Sequence, residues 1–141
     1  MIIDAPVSTP IHRPGLSHEL RFVVPPSKTV PALYPEADEF QRMPKVLATG
    51  YLVGLLEWAC MQALHPHLSV GTHIAVSHAA PTPPGMEVLV KVRLLTVDGR
   101  RLLFAVEAHD GVDCISRGSH ERVLIERGRF LEKVQRKGEL S

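Results

Sequence analysis

The amino-acid sequence predicts an α+β domain in which an antiparallel sheet wraps around one long helix. The first observation is an apolar stretch over residues 49–64 that contains a single charge, Glu57. The second is the alternation of apolar and polar positions over residues 70–126, which is typical of strands. One helix followed by consecutive hairpin strands favours a two-layer arrangement.

The chain before the helix is predicted to hold an arm, a strand and a loop. Residues 1–18 are punctuated by proline and lack periodicity, so we expect an irregular N-terminal arm before a single domain over residues 19–141. A strand is expected over residues 19–24, where Pro25 stops it. Residues 27–44 predict a long loop, which in a compact domain is often a lid or a binding element.

The helix and the sheet that follows it have clear boundary signals. Thr49 is a residue type that caps helices, and Pro66 ends the helix after Leu64. Asp98-Gly99 and Asp110-Gly111 are hairpin signals. The strands are therefore predicted over residues 70–80, 86–97, 100–109 and 113–126.

The sheet and helix together predict a hot-dog fold that forms a homodimer. The strands at 86–97 and 100–109 each place apolar residues on one face, which indicates that this face is buried. A sheet of this size leaves edge strands, and edges are commonly covered by pairing with a second copy. The charged residues 127–141 predict a short helix or a frayed tail. Their basic side chains are either a solvated face or a contact for a phosphate-rich ligand.

Composition argues against several classes of partner. The chain has 141 residues, a length that fits one domain. Its net charge of +1 leaves no basic excess that would favour binding to nucleic acid or to an anionic membrane. Cys60 and Cys114 lie far apart and no signal segment is evident, so we expect a reduced cytoplasmic protein. No metal site is expected, because proline disrupts the ligand geometry of His65-Pro66-His67.

Glu57 is the first candidate for chemistry. Its helical neighbours three and four residues away are apolar or small, and none of them can pair with a carboxylate. A helix that is apolar on every side is normally buried, where an unpaired carboxylate costs several kcal/mol or gives up its charge. A buried, unpaired carboxylate is therefore seldom retained in a protein unless it has a functional role.

His78 and Thr49 are the candidate partners of Glu57. In the predicted strand His78 shares a face with Ile74 and Val76, so its imidazole is expected to point toward the helix. It is either a core histidine with one hydrogen bond or a functional partner whose pKa is tuned by the carboxylate. Thr49 is either a capping residue or a hydroxyl placed at the positive end of the helix, where N–H groups can hold an oxyanion.

Two further positions carry weaker signals. Gly71 opens the strand that carries His78, and glycine in a strand marks a bulge or a close approach of the backbone to a ligand. Arg122 lies in the last predicted strand. An arginine there is ordinarily exposed, and the alternative is a guanidinium aimed at a carboxylate or phosphate.

Many short runs in one order resemble the fluoroacetyl-CoA thioesterase family of hot-dog enzymes. The resemblance spans residues 20–137 and rests on Phe22-Val23-Val24-Pro25-Pro26, Leu33-Tyr34-Pro35-Glu36, Ala48-Thr49-Gly50, Glu57-Trp58-Ala59-Cys60, Gly71-Thr72, Pro83-Pro84-Gly85, Ala108-His109-Asp110-Gly111-Val112-Asp113 and His120-Glu121-Arg122. It implies a homodimeric thioesterase that acts on a short acyl-CoA and needs no cofactor, since coenzyme A is part of the substrate.

The resemblance also implies roles for individual residues. The family's catalytic threonine, glutamate and histidine fall on Thr49, Glu57 and His78. Its substrate-contacting glycine matches Gly71, and its arginine near the acyl group matches Arg122. At the position of the family's phenylalanine gate, just before a proline, this chain has Met43. Because methionine fills space differently, thioester hydrolysis is expected and fluoroacetyl specificity is not.

The expected reaction is the hydrolysis of a short-chain acyl-CoA to the free acid and CoA. His78 would act as general base and acid, while Glu57 would orient water or attack the thioester. Two alternatives stay open at this point. One is a non-catalytic dimer that binds acyl-CoA, and the other is a hot-dog hydratase or dehydratase.

Overall fold

The computed structural model describes residues 12–140 and has the predicted α+β architecture. Five strands and four helices follow one another along this part of the chain. A short 3₁₀ turn lies between the first strand and the first helix. The elements are β1 (Ser17–Val23), α1 (Val30–Leu33), α2 (Asp38–Gln41), α3 (Thr49–Leu64), β2 (Ser69–Val76), β3 (Glu87–Asp98), β4 (Arg101–His109), β5 (Cys114–Leu124) and α4 (Arg127–Glu139).

The strands form one antiparallel sheet in the order β1-β3-β4-β5-β2, which packs against α3. The predicted buried face is confirmed on β3 and β4, because alternate residues of both strands are buried. Asp98 pairs with Arg101 across the predicted hairpin turn, where Gly99 has a φ of 60°. The strands β1 and β2 are the two edges of the sheet.

Helix α3 has the predicted bounds, but the sheet does not enclose it. One face is buried, and on it Leu52, Leu56 and Leu64 have no exposed surface. Burying one such leucine stabilises the fold by roughly 1.5–3 kcal/mol. The other face leaves apolar side chains in solvent, including Trp58 (44 % exposed) and Met61 (43 % exposed). The expectation of a helix buried on every side is wrong for a single chain.

The structure also corrects the segments around the helix. Residues 27–44 are not a structureless loop, because they contain α1 and α2. Leu33 of α1 packs so closely on Gly50 that a β-carbon there would lie 2.9 Å from the leucine Cδ2. A side chain at Gly50 would therefore require the Leu33 methyl group to move.

The predicted strand boundaries also shift. Strand β1 begins at Ser17, inside the predicted arm, and residues 1–11 of that arm lie outside the described residues. Strand β2 ends at Val76, so His78 lies beyond it. The predicted closing helix is present as α4. Within residues 12–140, no helix is both long and apolar enough to cross a membrane.

Candidate active site

Five of the six predicted site residues form two groups at opposite ends of β2. Glu57, Gly71 and Arg122 lie together at the beginning of this strand. Thr49 and His78 lie together beyond its end, at the N-terminus of α3. The first group contains an ion pair, whereas the second is a hydroxyl group bonded to an imidazole.

The first group is built on an ion pair between Glu57 and Arg122. Arg122 Nη1 donates to Glu57 Oε2 at 3.1 Å. The Arg122 side chain is only 2 % exposed, so the expectation of an exposed arginine is wrong and the carboxylate alternative is correct. Glu57 is therefore not unpaired. Its side chain remains 35 % exposed and faces a cleft of about 380 Å³ at the start of β2.

Arg122 is held in place by bonds on all sides of its guanidinium. Its Nε donates to Ser69 Oγ at 2.7 Å, and its Nη2 donates to the Ser69 carbonyl oxygen at 2.9 Å. A planar guanidinium that is bonded through all three of its nitrogens is a fixed positive charge rather than a mobile one. Arg122 thus positions the carboxylate of Glu57, and its nitrogens are engaged by protein groups.

His120 belongs to this group and was not singled out from the sequence. Its Nδ1 donates to the His73 carbonyl oxygen at 2.8 Å, and its Nε2 accepts from Arg122 Nη1 at 3.0 Å. This pattern requires the neutral imidazole. Burial lowers the pKa of His120, and the nearby Arg122 charge lowers it further, whereas the bond to His73 raises it. Alternation with Arg122 along β5 was the signal that could have identified it.

Gly71 brings the backbone of β2 close to these charges. A β-carbon on Gly71 would lie 3.1 Å from Glu57 Oε2 and 3.4 Å from Arg122 Nη1. The pairing of β2 with β5 shifts register between Gly71 and His73, which is the predicted bulge. Glycine is needed here because a side chain would occupy the space next to the ion pair.

The second group is the hydrogen-bonded pair of Thr49 and His78. Thr49 Oγ1 and His78 Nδ1 are 2.7 Å apart. Thr49 is the first residue of α3 and not its cap, because the N-cap is Ala48. The capping role predicted for Thr49 is therefore wrong, and its hydroxyl bonds the histidine. Since Ala48 supplies no side-chain cap, the N–H groups of the first turn are available to a ligand.

The imidazole of His78 has the properties of a base. Burial lowers its pKa below the ordinary value of 6.5, which favours the neutral form. Its Nε2 is buried and has no hydrogen-bond partner among the described residues. If Nδ1–H donates to Thr49, this Nε2 carries the free lone pair and can accept a proton. Thr49 then keeps its own O–H for donation to a ligand.

The two groups do not meet within one chain. Thr49 and Glu57 lie eight residues apart on α3, which separates them by about 12 Å along the helix axis. His78 bonds Thr49, whereas Glu57 bonds Arg122. The expected contact between Glu57 and His78 is therefore not made inside a single chain.

Met43 lies apart from both groups. It follows α2, it is 49 % exposed, and it is not among the residues that line the cleft of Glu57. Nearby, Tyr34 and Phe40 pack edge to face with ring centroids 5.2 Å apart, which fixes the turn that leads to Met43. Met43 is thus presented on an ordered segment that precedes α3.

Known proteins resemble this chain over most of its length. The sequence profile of the fluoroacetyl-CoA-specific thioesterases matches residues 29–128. The fluoroacetyl-CoA thioesterase of Streptantibioticus cattleyicolor is 54% identical over an alignment of 121 residues, and the match covers 82% of this chain and 87% of that protein.

Solved structures agree with these matches. A phenylalanine-to-alanine variant of the fluoroacetyl-CoA-specific thioesterase, in complex with fluoroacetate and CoA, has a TM-score of 0.82 and 52% identity over 84% of this chain and 99% of its own. A thioesterase superfamily member from Thermus thermophilus has a TM-score of 0.79 and 27% identity over 90% of this chain and 93% of its own. The predicted hot-dog fold is confirmed, and the chain belongs to the fluoroacetyl-CoA-specific thioesterase family.

Proposed function

We propose that this protein hydrolyses a short acyl-CoA thioester to the free acid and coenzyme A. Its family identifies it as a thioester hydrolase. The observation that supports the residue roles is the presence of a neutral imidazole with a free Nε2 and a fixed carboxylate facing a cleft. Water and substrate suffice for this reaction, so no cofactor is required. The free thiols of Cys60 and Cys114 fit a cytoplasmic location.

His78 is the proposed general base and acid. Its Nε2 takes a proton from the attacking water and later returns it to the departing CoA thiolate. Thr49 fixes the tautomer that this requires when its hydroxyl oxygen accepts the Nδ1–H of His78. The thioester oxygen gains negative charge in the transition state, and the Thr49 hydroxyl with the first-turn N–H groups of α3 stabilises it.

Glu57 is the proposed second catalytic group. Its Oε2 accepts from Arg122, its Oε1 has no hydrogen bond within residues 12–140, and the side chain lines the cleft. The Oε1 atom either orients the attacking water or attacks the thioester carbon itself. The fixed guanidinium of Arg122 keeps the carboxylate in one orientation, which is the condition for either role.

We further propose that a homodimer completes the site. Strand β2 is an edge strand whose middle residues are exposed, and a second copy is the natural cover for its unpaired backbone groups. Backbone hydrogen bonding to β5 continues past the end of β2, because Ala79 N donates to the Ile115 carbonyl oxygen at 2.8 Å. The paired segment therefore runs from Ser69 to Ala79, with Ile74 near its middle.

Antiparallel pairing of two such segments about a two-fold axis joins the separated groups. In that arrangement the beginning of one β2 lies beside the end of the partner's β2. Gly71 and Glu57 of one protomer then lie beside the position that follows the partner's strand, which is where Thr49 and His78 bond each other. The dimer thus holds two complete sites, each built from both protomers.

The acyl group is proposed to be short and to be selected in part by Met43. Structures of the related enzyme hold fluoroacetate and acetyl-CoA. The substituted phenylalanine and threonine of that enzyme are as far apart in sequence as Met43 and Thr49 are here. This equal spacing supports Met43 as the counterpart of that phenylalanine. Methionine is flexible and adapts its shape to its contacts, which favours weak discrimination between acetyl and fluoroacetyl groups.

Release of free CoA thiol from a panel of acyl-CoAs tests this function. We expect turnover of acetyl-, fluoroacetyl- and propionyl-CoA, with kcat/KM falling for longer chains. The parent should discriminate fluoroacetyl from acetyl less than its Met43→Phe variant does. Tight CoA binding without thiol release from any member would favour a non-catalytic binding dimer. Hydration of an enoyl-CoA without hydrolysis would favour the hydratase.

Replacing Gly71 with alanine is expected to lower kcat about tenfold, since a displacement of 1 Å at reacting groups costs up to about 100-fold. The added methyl would lie 3.1 Å from both Glu57 Oε2 and His120 Cε1, so these groups must shift by a few tenths of an ångström. Gly54→Ala is the matched control, because its added methyl meets no atom within 4 Å. Steady-state thiol release compares the two. Equal kcat values in both variants would contradict the proposed role of Gly71.

A further inference from the structure

Ser116 of β5 lies directly opposite His78 across the paired backbones. Two hydrogen bonds fix this register beyond the end of β2, namely Ser77 N to the Arg117 carbonyl oxygen (3.0 Å) and Ala79 N to the Ile115 carbonyl oxygen (2.8 Å). His78 and Ser116 lie between these two bonded pairs, so they form the closer, non-hydrogen-bonded type of cross-strand pair. Their side chains therefore point to the same face of the sheet, with β-carbons about 4.5–5.5 Å apart.

The face shared by these two side chains is the one that packs against α3. His78 bonds Thr49 of this helix, and Ser116 pairs on its other side with Ala108 of β4. Ala108 in turn pairs with Val90 of β3, and both of these apolar residues are fully buried. The row across the sheet thus passes from core residues to two polar side chains at the N-terminus of α3.

Each of the two side chains has a buried polar atom that lacks a hydrogen-bond partner within residues 12–140. These atoms are Ser116 Oγ and His78 Nε2. Ser116 has no exposed surface, and a buried hydroxyl without a partner lowers the stability of the fold. An alanine, such as Ala108 beside it, would avoid this loss. Core packing therefore does not account for a serine at this position.

The local backbone does not use the hydroxyl of Ser116 either. The register of β5 against β4 shifts just before this residue, where Ile115 is the extra residue of a bulge. The bulge is bonded through main-chain oxygens. The carbonyl of Ile115 accepts from Ala79 N, and the carbonyl of Ser116 accepts from Cys114 Sγ at 3.5 Å. Since neither bond involves Ser116 Oγ, this oxygen is available to a ligand shared with His78.

We propose that Ser116 Oγ and His78 Nε2 together bind the water molecule that attacks the thioester. One water joins two polar atoms that lie up to about 6 Å apart, which is twice the length of a hydrogen bond and suits a cross-strand pair. The water donates one O–H to His78 Nε2 and the other to Ser116 Oγ. Its lone pairs then face the carbonyl carbon. The inference rests on the proposed thioesterase function and adds a residue that binds a reacting molecule.

The groups named above balance the chemical step. As the water oxygen bonds to the thioester carbon, the proton that it shares with Nε2 passes to the imidazole of His78. The carbon–sulfur bond then breaks, and the imidazolium returns this proton to the CoA thiolate. If Glu57 attacks first, the same water attacks the acyl carbon of the anhydride, and Glu57 leaves as a carboxylate. Ser116 exchanges no proton in either route and determines only where the water lies.

Ser116→Ala tests this assignment through the products that it forms. We expect kcat for hydrolysis of acetyl-CoA to fall about tenfold, because the water is no longer held in place. Hydroxylamine is an alternative nucleophile that does not need the water site. At a fixed hydroxylamine concentration, the ratio of acetohydroxamate to acetate should therefore rise about tenfold over the parent, after subtraction of the uncatalysed reaction. A general disturbance of the site would slow both products equally.

Ser119→Ala is the matched control for this substitution. Ser119 lies on the same strand three residues further on, so its side chain is on the opposite face of the sheet. This variant should keep the parental kcat and the parental product ratio. Thermal unfolding adds a check on folding, because Ser116→Ala removes an unpaired hydroxyl and should unfold at or above the parental temperature.

A crystal structure of the parent supplies a test that does not depend on turnover. We expect a water within about 3.2 Å of both Ser116 Oγ and His78 Nε2, and we expect it to be lost in Ser116→Ala. A parental product ratio in Ser116→Ala, or no water bound between the two atoms in the parent, would overturn the assignment. A parent that holds the water but releases no CoA thiol from any acyl-CoA would refute the proposed reaction and retain the water site.

Discussion

Replacing His78 with alanine is expected to lower kcat for thioester hydrolysis by about 10²–10⁴-fold, the usual contribution of a positioned acid–base group. His78 lies beyond the end of β2, and its side chain forms a hydrogen bond with Thr49. Removing the imidazole therefore takes away the proton carrier without opening the core. Steady-state release of CoA thiol measures the loss, and thermal unfolding checks that the variant remains folded.

The histidine of β1 provides the control for this change. His18 bonds Gln62 at the edge of the sheet opposite β2, so His18→Ala removes an imidazole away from the proposed site. It should retain nearly the parental kcat. If His78→Ala also hydrolyses acetyl-CoA at the parental rate, the proposed general base is the wrong residue.

The pH dependence of the parent provides a second check on His78. Because burial lowers its pKa below 6.5, the neutral form that accepts a proton persists to lower pH than for an ordinary histidine. The acid limb of kcat/KM should therefore have its midpoint below pH 6.5 and be level at neutral pH. A midpoint above that value would point to a different base.

The architecture was predictable because it depends on local periodicity. Alternation in β3 and β4 reports which face is buried, and the bounds of α3 follow from its apolar run and from Pro66. Segment 27–44 was not predictable in the same way. Its helices α1 and α2 have four residues each, which is too short to show a helical period.

The candidate site was predictable only as a set of residue types. Glu57 stands out in the sequence because charge is rare in an apolar helix. Its partner Arg122 is 65 residues away, and no local pattern links them. His120 was missed because its alternation with Arg122 along β5 indicates a shared face but not its bond to the backbone of β2. Thr49 was predicted both as a cap and as a functional hydroxyl. Its bond to His78 was not predictable, because the two residues are 29 positions apart and no local pattern links them.

Glu57 and His78 lie in different groups of one chain. We therefore expect, as the second large effect, that mixed dimers of two inactive variants regain activity. Glu57→Gln and His78→Ala should each be nearly inactive as pure proteins. In a mixed dimer, one site combines both lesions and the other combines the intact Glu57 of one protomer with the intact His78 of the other. Random exchange of subunits should therefore restore about one quarter of the parental activity, because half of the dimers are mixed and each has one intact site.

A matched pair of variants makes this result specific to the proposed division of the site. Thr49 and His78 bond each other within one chain, so both come from the same protomer in every site. Mixing Thr49→Val with His78→Ala should restore nothing, whereas mixing Thr49→Val with Glu57→Gln should restore activity as the first mixture does. Size-exclusion chromatography with light scattering establishes that the variants are dimers before mixing. Absence of recovery in both mixtures with Glu57→Gln, despite subunit exchange, would place each site within a single protomer and would require α3 and β2 to rearrange on substrate binding.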